Sequence, residues 1–121
     1  MKSDPRILIV DDDEATATML RRSLARHGFV VDAVGSGADA LSRAAENSYD
    51  AAILDLVMPD QDGAELAVAL RGQAPGLPIA LLTGYARSPL LAGAAGRPGT
   101  AVFSKPVAIQ EIVDFLRAEI G

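Results

Sequence analysis

Two short apolar runs in this chain each end on carboxylates. Ile7-Leu8-Ile9-Val10 leads straight into Asp11-Asp12-Asp13, and Ala51-Ala52-Ile53-Leu54 ends on Asp55. In a parallel sheet such runs are central strands, and polar residues just past their carboxyl ends gather in one crevice. At ~4 Å and an effective dielectric of ~20, each like-charged pair there costs about 4 kcal/mol. That crowding requires a proton, a lysine or a metal ion to offset it. Two more strand-like runs end on Thr83 and on Lys105-Pro106. Carboxylates, a hydroxyl and an ammonium in one crevice are the parts of a phosphoryl-transfer site. Hard oxygen ligands suit Mg²⁺, which favours one or two carboxylates plus phosphate oxygens. An aspartate is a competent phosphoryl acceptor, and the transfer itself is mostly positioning and charge neutralisation.

The elements that must position these groups follow from periodicity. Arg6 to Val10 reads as a first strand, and Glu14 to Arg26 as a helix. Met19, Leu20 and Leu24 fall on one face of that helix, with Arg21, Arg22 and Arg26 largely on the other. Asp13 can cap its start, and Gly28 stands where a stop is expected. Phe29 to Ala33 is a second strand, followed by Gly35-Ser36-Gly37 and an alanine-rich helix over Ala38 to Ala45. Tyr49 to Asp55 is a third strand, Val57 to Gly63 a loop, and Ala64 to Arg71 a helix. Pro78 to Thr83 is a fourth strand. Pro89, Gly93, Gly96, Pro98 and Gly99 then interrupt what should be a helix, which is expected to be short or frayed. Thr100 to Phe103 is a fifth strand. Ala108 to Glu119 is the last helix, with Ile109, Ile112, Val113, Leu116 and Ile120 along one face. Five βα units in alternation predict a doubly wound parallel α/β sheet.

Composition narrows the function classes. The 121 residues suit one domain. They are 50% hydrophobic but only 4% aromatic, so the core is expected to be aliphatic. Eleven Lys and Arg against sixteen Asp and Glu leave a net charge of −5, which argues against direct nucleic-acid binding by this domain. With no cysteine there is no thiolate metal site and no disulfide framework. The first residues lead into no apolar signal region, and no apolar stretch is long enough to span a bilayer. A soluble cytoplasmic domain is the expectation.

Four motifs in order, each after its own strand, carry a resemblance. They are Ile7-Leu8-Ile9-Val10-Asp11-Asp12, then Leu54-Asp55-Leu56-Val57-Met58-Pro59 with Asp62-Gly63, then Leu82-Thr83-Gly84, and Ser104-Lys105-Pro106. Asp12, Asp55, Thr83 and Lys105 are separated by 43, 28 and 22 residues. Together these resemble the receiver domain of two-component response regulators, the family of the chemotaxis single-domain regulators. The resemblance covers essentially the whole chain, and it implies one receiver domain over residues 1–121. It implies a flavodoxin-like fold, a five-stranded parallel sheet in the order 2-1-3-4-5 with helices on both faces.

Function and roles are implied in the same way. Asp55 accepts a phosphoryl group from a phosphohistidine on a histidine kinase or histidine phosphotransfer protein, and the domain then switches a partner-binding surface. Asp12 binds Mg²⁺ directly and Asp11 mainly through water, with Asp55 and the Val57 carbonyl as further ligands. Thr83 and Lys105 meet phosphoryl oxygens, with the Gly84 amide nearby, and the Lys105–Pro106 peptide is cis. The domain is not an enzyme beyond slow autophosphorylation and autodephosphorylation, and it is a monomer or weak dimer. One position departs from the pattern. Val102 stands where the family often carries an aromatic residue that reports the phosphorylated state. Phe103, one place later, should point to the opposite face and into the core.

Other readings stay open beside this one. The chain can be a receiver excised from a hybrid histidine kinase or from a transcriptional regulator. Thr83-Gly84-Tyr85 with Val102-x-x-Lys105-Pro106 is a look shared by receivers of hybrid kinases and some stand-alone ones, and it leans away from a DNA-binding transcription factor. A phosphatase of the haloacid dehalogenase class would use Asp11 as nucleophile, with Thr83 and Lys105 following in order. Against it stand Ala15 where Thr or Val is usual, and no acidic pair after Lys105. A pseudo-receiver would bind partners without turning over phosphate. Plainer roles suit several other residues. Asp13 and Glu14 fit a helix start, His27 a helix end, and Asp60 and Asp62 a turn. Tyr85 fits a loop, Ser88-Pro89 a helix start, and Arg21, Arg22 and Arg26 a solvated face. For Lys105 the plain alternative is a structural ion pair with Asp55.

Overall fold

The computed structural model describes residues 4–59, 62–84 and 98–120. Its elements run β1 (Arg6–Val10), α1 (Glu14–Arg26), β2 (Val30–Val34), α2 (Gly37–Glu46) and β3 (Ala51–Asp55). They continue through α3 (Gly63–Gln73), β4 (Ile79–Thr83), β5 (Thr100–Ser104) and α4 (Ile109–Ile120). The interrupted helix expected around Pro89, Gly93 and Gly96 lies outside the described residues, as do Tyr85, Ser88 and Asp60. All pairings are parallel, and the strand order is 2-1-3-4-5 as expected.

The alternation of side chains along the central strands divides the core into two layers. Ile7, Ile9, Ile53, Ala80 and Leu82 face Leu20 and Leu24 of α1 and Ile112, Val113 and Leu116 of α4. Leu8, Val10, Leu54, Ile79 and Leu81 face Ala40 of α2 and Leu66, Ala67 and Leu70 of α3. Helices on both faces explain why β1, β3 and β4 read as unbroken apolar runs rather than as alternating ones. β2 and β5 are the edges and are correspondingly half-buried. Phe103 packs in the first layer, edge-on to Phe115 with ring centroids 5.9 Å apart, while Val102 packs in the second. The expected opposition of these two side chains is therefore what the strand adopts.

Caps set the helix limits. Asp13 accepts from the Ala15 amide and the Thr16 hydroxyl, Ser36 from the Asp39 amide, and Asp62 from the Glu65 amide. Asp62 is thus the N-cap of α3, a more definite role than the turn residue the sequence suggested. Gly28 ends α1 with φ of +92°, a conformation open to glycine and costly for other residues. His27 is the C-cap, its Nδ1 2.9 Å from the Ser23 carbonyl oxygen.

Several expectations are corrected. β3 starts at Ala51 rather than at Tyr49, and α3 runs from Gly63 to Gln73 rather than from Ala64 to Arg71. Met19 is 44% exposed, because Ala17, Leu20 and Leu24 form the buried stripe and position 19 is turned about 100° from Leu20. β2 starts at Val30 rather than at Phe29, which is buried as it leads into the strand.

At the amino ends of the strands a polar network closes the sheet. The Tyr49 hydroxyl donates to Asp32 at 2.7 Å, and Arg6 pairs with the same carboxylate at 3.2 Å. The Arg6 guanidinium also lies 5.6 Å from the centre of the Tyr49 ring, and the Arg6 amide donates to Asp50. Burial and the bond to Asp32 push the Tyr49 phenol from its ordinary 10.0 up to about 12. Between these values the unfolded chain has lost the proton while the folded protein keeps it. The stability contributed by this hydroxyl is complete below pH 10 and is lost as pH rises toward 12. Urea midpoints measured from pH 9 upward should therefore fall more steeply for wild type than for Tyr49→Phe, and equal slopes would contradict the assignment.

Candidate phosphoryl-transfer site

Strand order brings the reactive ends together. Asp11 directly follows β1, Asp55 closes β3, Thr83 closes β4, and Lys105 directly follows β5. Because β1, β3, β4 and β5 are consecutive neighbours, these four positions lie side by side at the carboxyl edge. The direction of winding across the sheet reverses between β1 and β3, where the first connection runs out to β2 and the next returns past β1. Crevices at such a switch point are where doubly wound sheets bind ligands.

Asp11, Asp55 and Thr83 are almost fully buried, at 3%, 8% and 1% exposure, while Asp12 is exposed. Lys105 Nζ stands 3.3 Å from Asp55 Oδ1 and 3.7 Å from Asp11 Oδ2, so one ammonium is shared by two carboxylates. The ion pair expected on the plain reading of Lys105 is present, and it includes Asp11 as well. The Lys105–Pro106 peptide is cis, and the Lys105 amide donates to the Thr83 carbonyl at 2.8 Å, tying β5 to the end of β4. Val57 lies two residues past Asp55, its amide 3.4 Å from Asp55 Oδ1 and its side chain half-exposed.

The acidic trio fits a hard cation. Asp11, Asp12 and Asp55 each offer one oxygen, and these oxygens lie within 4.8 Å of one another. Asp11 Oδ1 accepts from the Asp13 amide at 2.9 Å, whereas its buried Oδ2 has no hydrogen-bond partner among the described residues. A buried anionic oxygen in that state demands a counter-charge, and Lys105 at 3.7 Å supplies only part of it. Burial first of all, then Asp55 and Asp12 beside it, raise the Asp11 carboxyl above its ordinary range, while the Asp13 amide and Lys105 pull it down. Oxygen donors alone, with carboxylates among them, are the ligand set of magnesium-type ions.

Every candidate residue named from the sequence, Asp11, Asp12, Asp55, Val57, Thr83 and Lys105, belongs to this carboxyl edge. The Asp13 amide was missed. Its signal was available, since an aspartate bonding the amide two residues on is a common local motif. Arg21, Arg22 and Arg26 are exposed on α1, as the plain reading held.

Comparison with known proteins agrees with this geometry. A family model described as the response regulator receiver domain matches residues 7–117. The response regulator MprA of Mycobacterium tuberculosis is 41% identical over 115 residues, covering 93% of this chain and 49% of its own length. The chain thus spans about half the length of the curated relatives it matches. Among solved structures, the receiver domain of the hybrid histidine kinase CckA is 28% identical with a TM-score of 0.82, covering 96% of this chain and 99% of that one. A CheY-like receiver domain protein of Methanospirillum hungatei is 26% identical with a TM-score of 0.90, covering 98% of this chain and 94% of that one.

Proposed function

Since the chain belongs to the response regulator receiver domain family of two-component signalling, we propose that Asp55 is its phosphoacceptor and that residues 1–121 act as one phosphorelay receiver domain. The observation that carries this reading is the shared lysine. One ammonium, 3.3 Å from Asp55 and 3.7 Å from Asp11, stands beside the acidic trio and can follow charge as it moves to a phosphoryl group.

Roles divide by position. The Asp55 carboxylate attacks the phosphorus of a phosphohistidine donor, the new O–P bond forms as the N–P bond breaks, and the histidine nitrogen leaves with the electron pair. Lys105 and the Thr83 hydroxyl face the phosphoryl oxygens and stabilise their charge. Asp11, Asp12, Asp55 and the Val57 carbonyl would hold Mg²⁺, which when bound neutralises the acidic cluster and the incoming phosphate oxygens. The donor is a histidine kinase or phosphotransfer protein, and the phosphorylated domain exposes a changed surface to an output partner. A response regulator and a hybrid histidine kinase receiver both stand among its relatives, so the lean away from a transcription factor gains no weight. No helix among the described residues is long and apolar enough to cross a membrane, in keeping with a cytoplasmic setting. Monomer or weak dimer, without direct nucleic-acid contact by this domain, completes the proposal.

The test is intact mass after incubation with acetyl phosphate. Wild type should gain one phosphoryl group with Mg²⁺ and none after chelation. No gain with Mg²⁺ in a folded sample would favour the pseudo-receiver instead.

A further inference from the structure

α3 begins with a glycine that its conformation does not require. Gly63 has an ordinary negative φ, unlike Gly28, Gly76 and Gly99. In the first turn of a helix glycine is a poor former, so another reason must account for it. That reason is close approach. A Cβ at position 63 would lie 2.5 Å from the Asp55 carbonyl oxygen, 2.9 Å from Leu56 Cα and 3.1 Å from the Asp55 carbonyl carbon. All three are backbone atoms, so no side chain can rotate away to make room. The Gly63 amide also donates to the Leu56 carbonyl at 2.7 Å, stapling the helix start to the loop that leaves Asp55.

Relief of that overlap could come from the helix or from the strand side. The helix is fixed on two counts. Asp62 caps it through the Glu65 amide at 2.8 Å, and Leu66, Ala67 and Leu70 are buried in the second core layer. The other side is the end of β3, where Asp55 is buried and the fully buried Leu56 donates its amide to the Leu82 carbonyl at 2.8 Å. Neither side yields freely, and any movement on the strand side shifts the Asp55–Leu56 backbone that leads to Val57. We infer that Gly63 is a positioning residue for phosphoryl transfer, setting by direct backbone contact the path from Asp55 to the Val57 carbonyl. This rests on the proposed roles of Asp55 and Val57. It predicts that a single methyl group at 63 weakens cation binding.

Gly63→Ala and Gly72→Ala provide the test, because Gly72 is in the same helix with nothing within 4 Å of its would-be Cβ. Mg²⁺ affinity is read by calorimetry, phosphorylation by mass at saturating Mg²⁺, and stability by thermal unfolding in chelator. Gly63→Ala should bind Mg²⁺ about 10–100-fold more weakly, as loss of support behind a ligand does, and should unfold in chelator at a lower temperature than wild type. Gly72→Ala should match wild type in Mg²⁺ affinity. If Gly63→Ala binds Mg²⁺ and accepts phosphoryl like wild type, the inference is overturned alone. If wild type itself does neither, the functional reading falls and takes the inference with it. Should Gly63→Ala not fold, amide exchange in wild type decides. Protection of the Gly63 amide rising on addition of Mg²⁺ supports the inference, and unchanged protection overturns it.

Discussion

Asp55→Asn is expected to remove the phosphoryl gain altogether, in every metal condition, while leaving a folded protein. The amide has nearly the shape of the carboxylate but is a far weaker nucleophile toward phosphorus. Asp55 is also the residue on which the shared ammonium sits closest, at 3.3 Å. The substitution removes one of three crowded carboxylates, so the variant should be at least as stable as wild type in chelator. Intact mass and urea unfolding on the same samples check both halves. A phosphoryl group still gained by Asp55→Asn would move the nucleophile to Asp11 and revive the phosphatase reading. Asp11→Asn should behave differently, keeping the acceptor but requiring more Mg²⁺.

Lys105→Ala should slow transfer from acetyl phosphate at saturating Mg²⁺ by about 10²–10³-fold, the scale seen when one preorganised charge-stabilising group is lost. It also removes the neighbour of Asp11 Oδ2 and Asp55 Oδ1. Stranding a fully buried charge costs about 3–5 kcal/mol. Lys105 is 31% exposed, so water screens part of this, and a loss of about 1–3 kcal/mol in chelator is the expected scale. Mg²⁺ should bind more tightly to the variant, since the ammonium no longer competes for the same oxygens. Initial rates, urea unfolding and calorimetry separate these effects. Transfer at the wild-type rate combined with lower stability would reduce Lys105 to the structural ion pair.

Much of this architecture is visible in the linear chain because the relevant signals are local. Ile7 to Val10 and Ala51 to Leu54 are buried on both faces, and burial of that kind leaves an uninterrupted apolar run. The caps Asp13 and Gly28 act within a turn of their own positions. The errors mark where locality ends. Met19 is apolar but turned off the stripe defined by Ala17, Leu20 and Leu24, and hydrophobicity alone does not give the helix its rotation. Phe29 is buried ahead of its strand, so its side chain gives no hint that the ladder starts one residue later. The 2-1-3-4-5 order was reached through family resemblance, because apolar runs name strands without ordering them. Asp11 as a second partner of Lys105, and the contact of Gly63 with Asp55, join residues far apart in the chain, and no periodicity records such distances.

Val57 divides its roles cleanly between backbone and side chain. Its main chain sits two residues past Asp55, yet its side chain is 49% exposed and belongs to neither core layer. The chain contains no tryptophan. An indole placed at position 57 would be the sole strong fluorophore in the molecule, mounted on the loop beside Asp55 without displacing a core side chain. This single substitution would turn the domain into its own optical reporter, with charge changes at Asp55 read directly as emission.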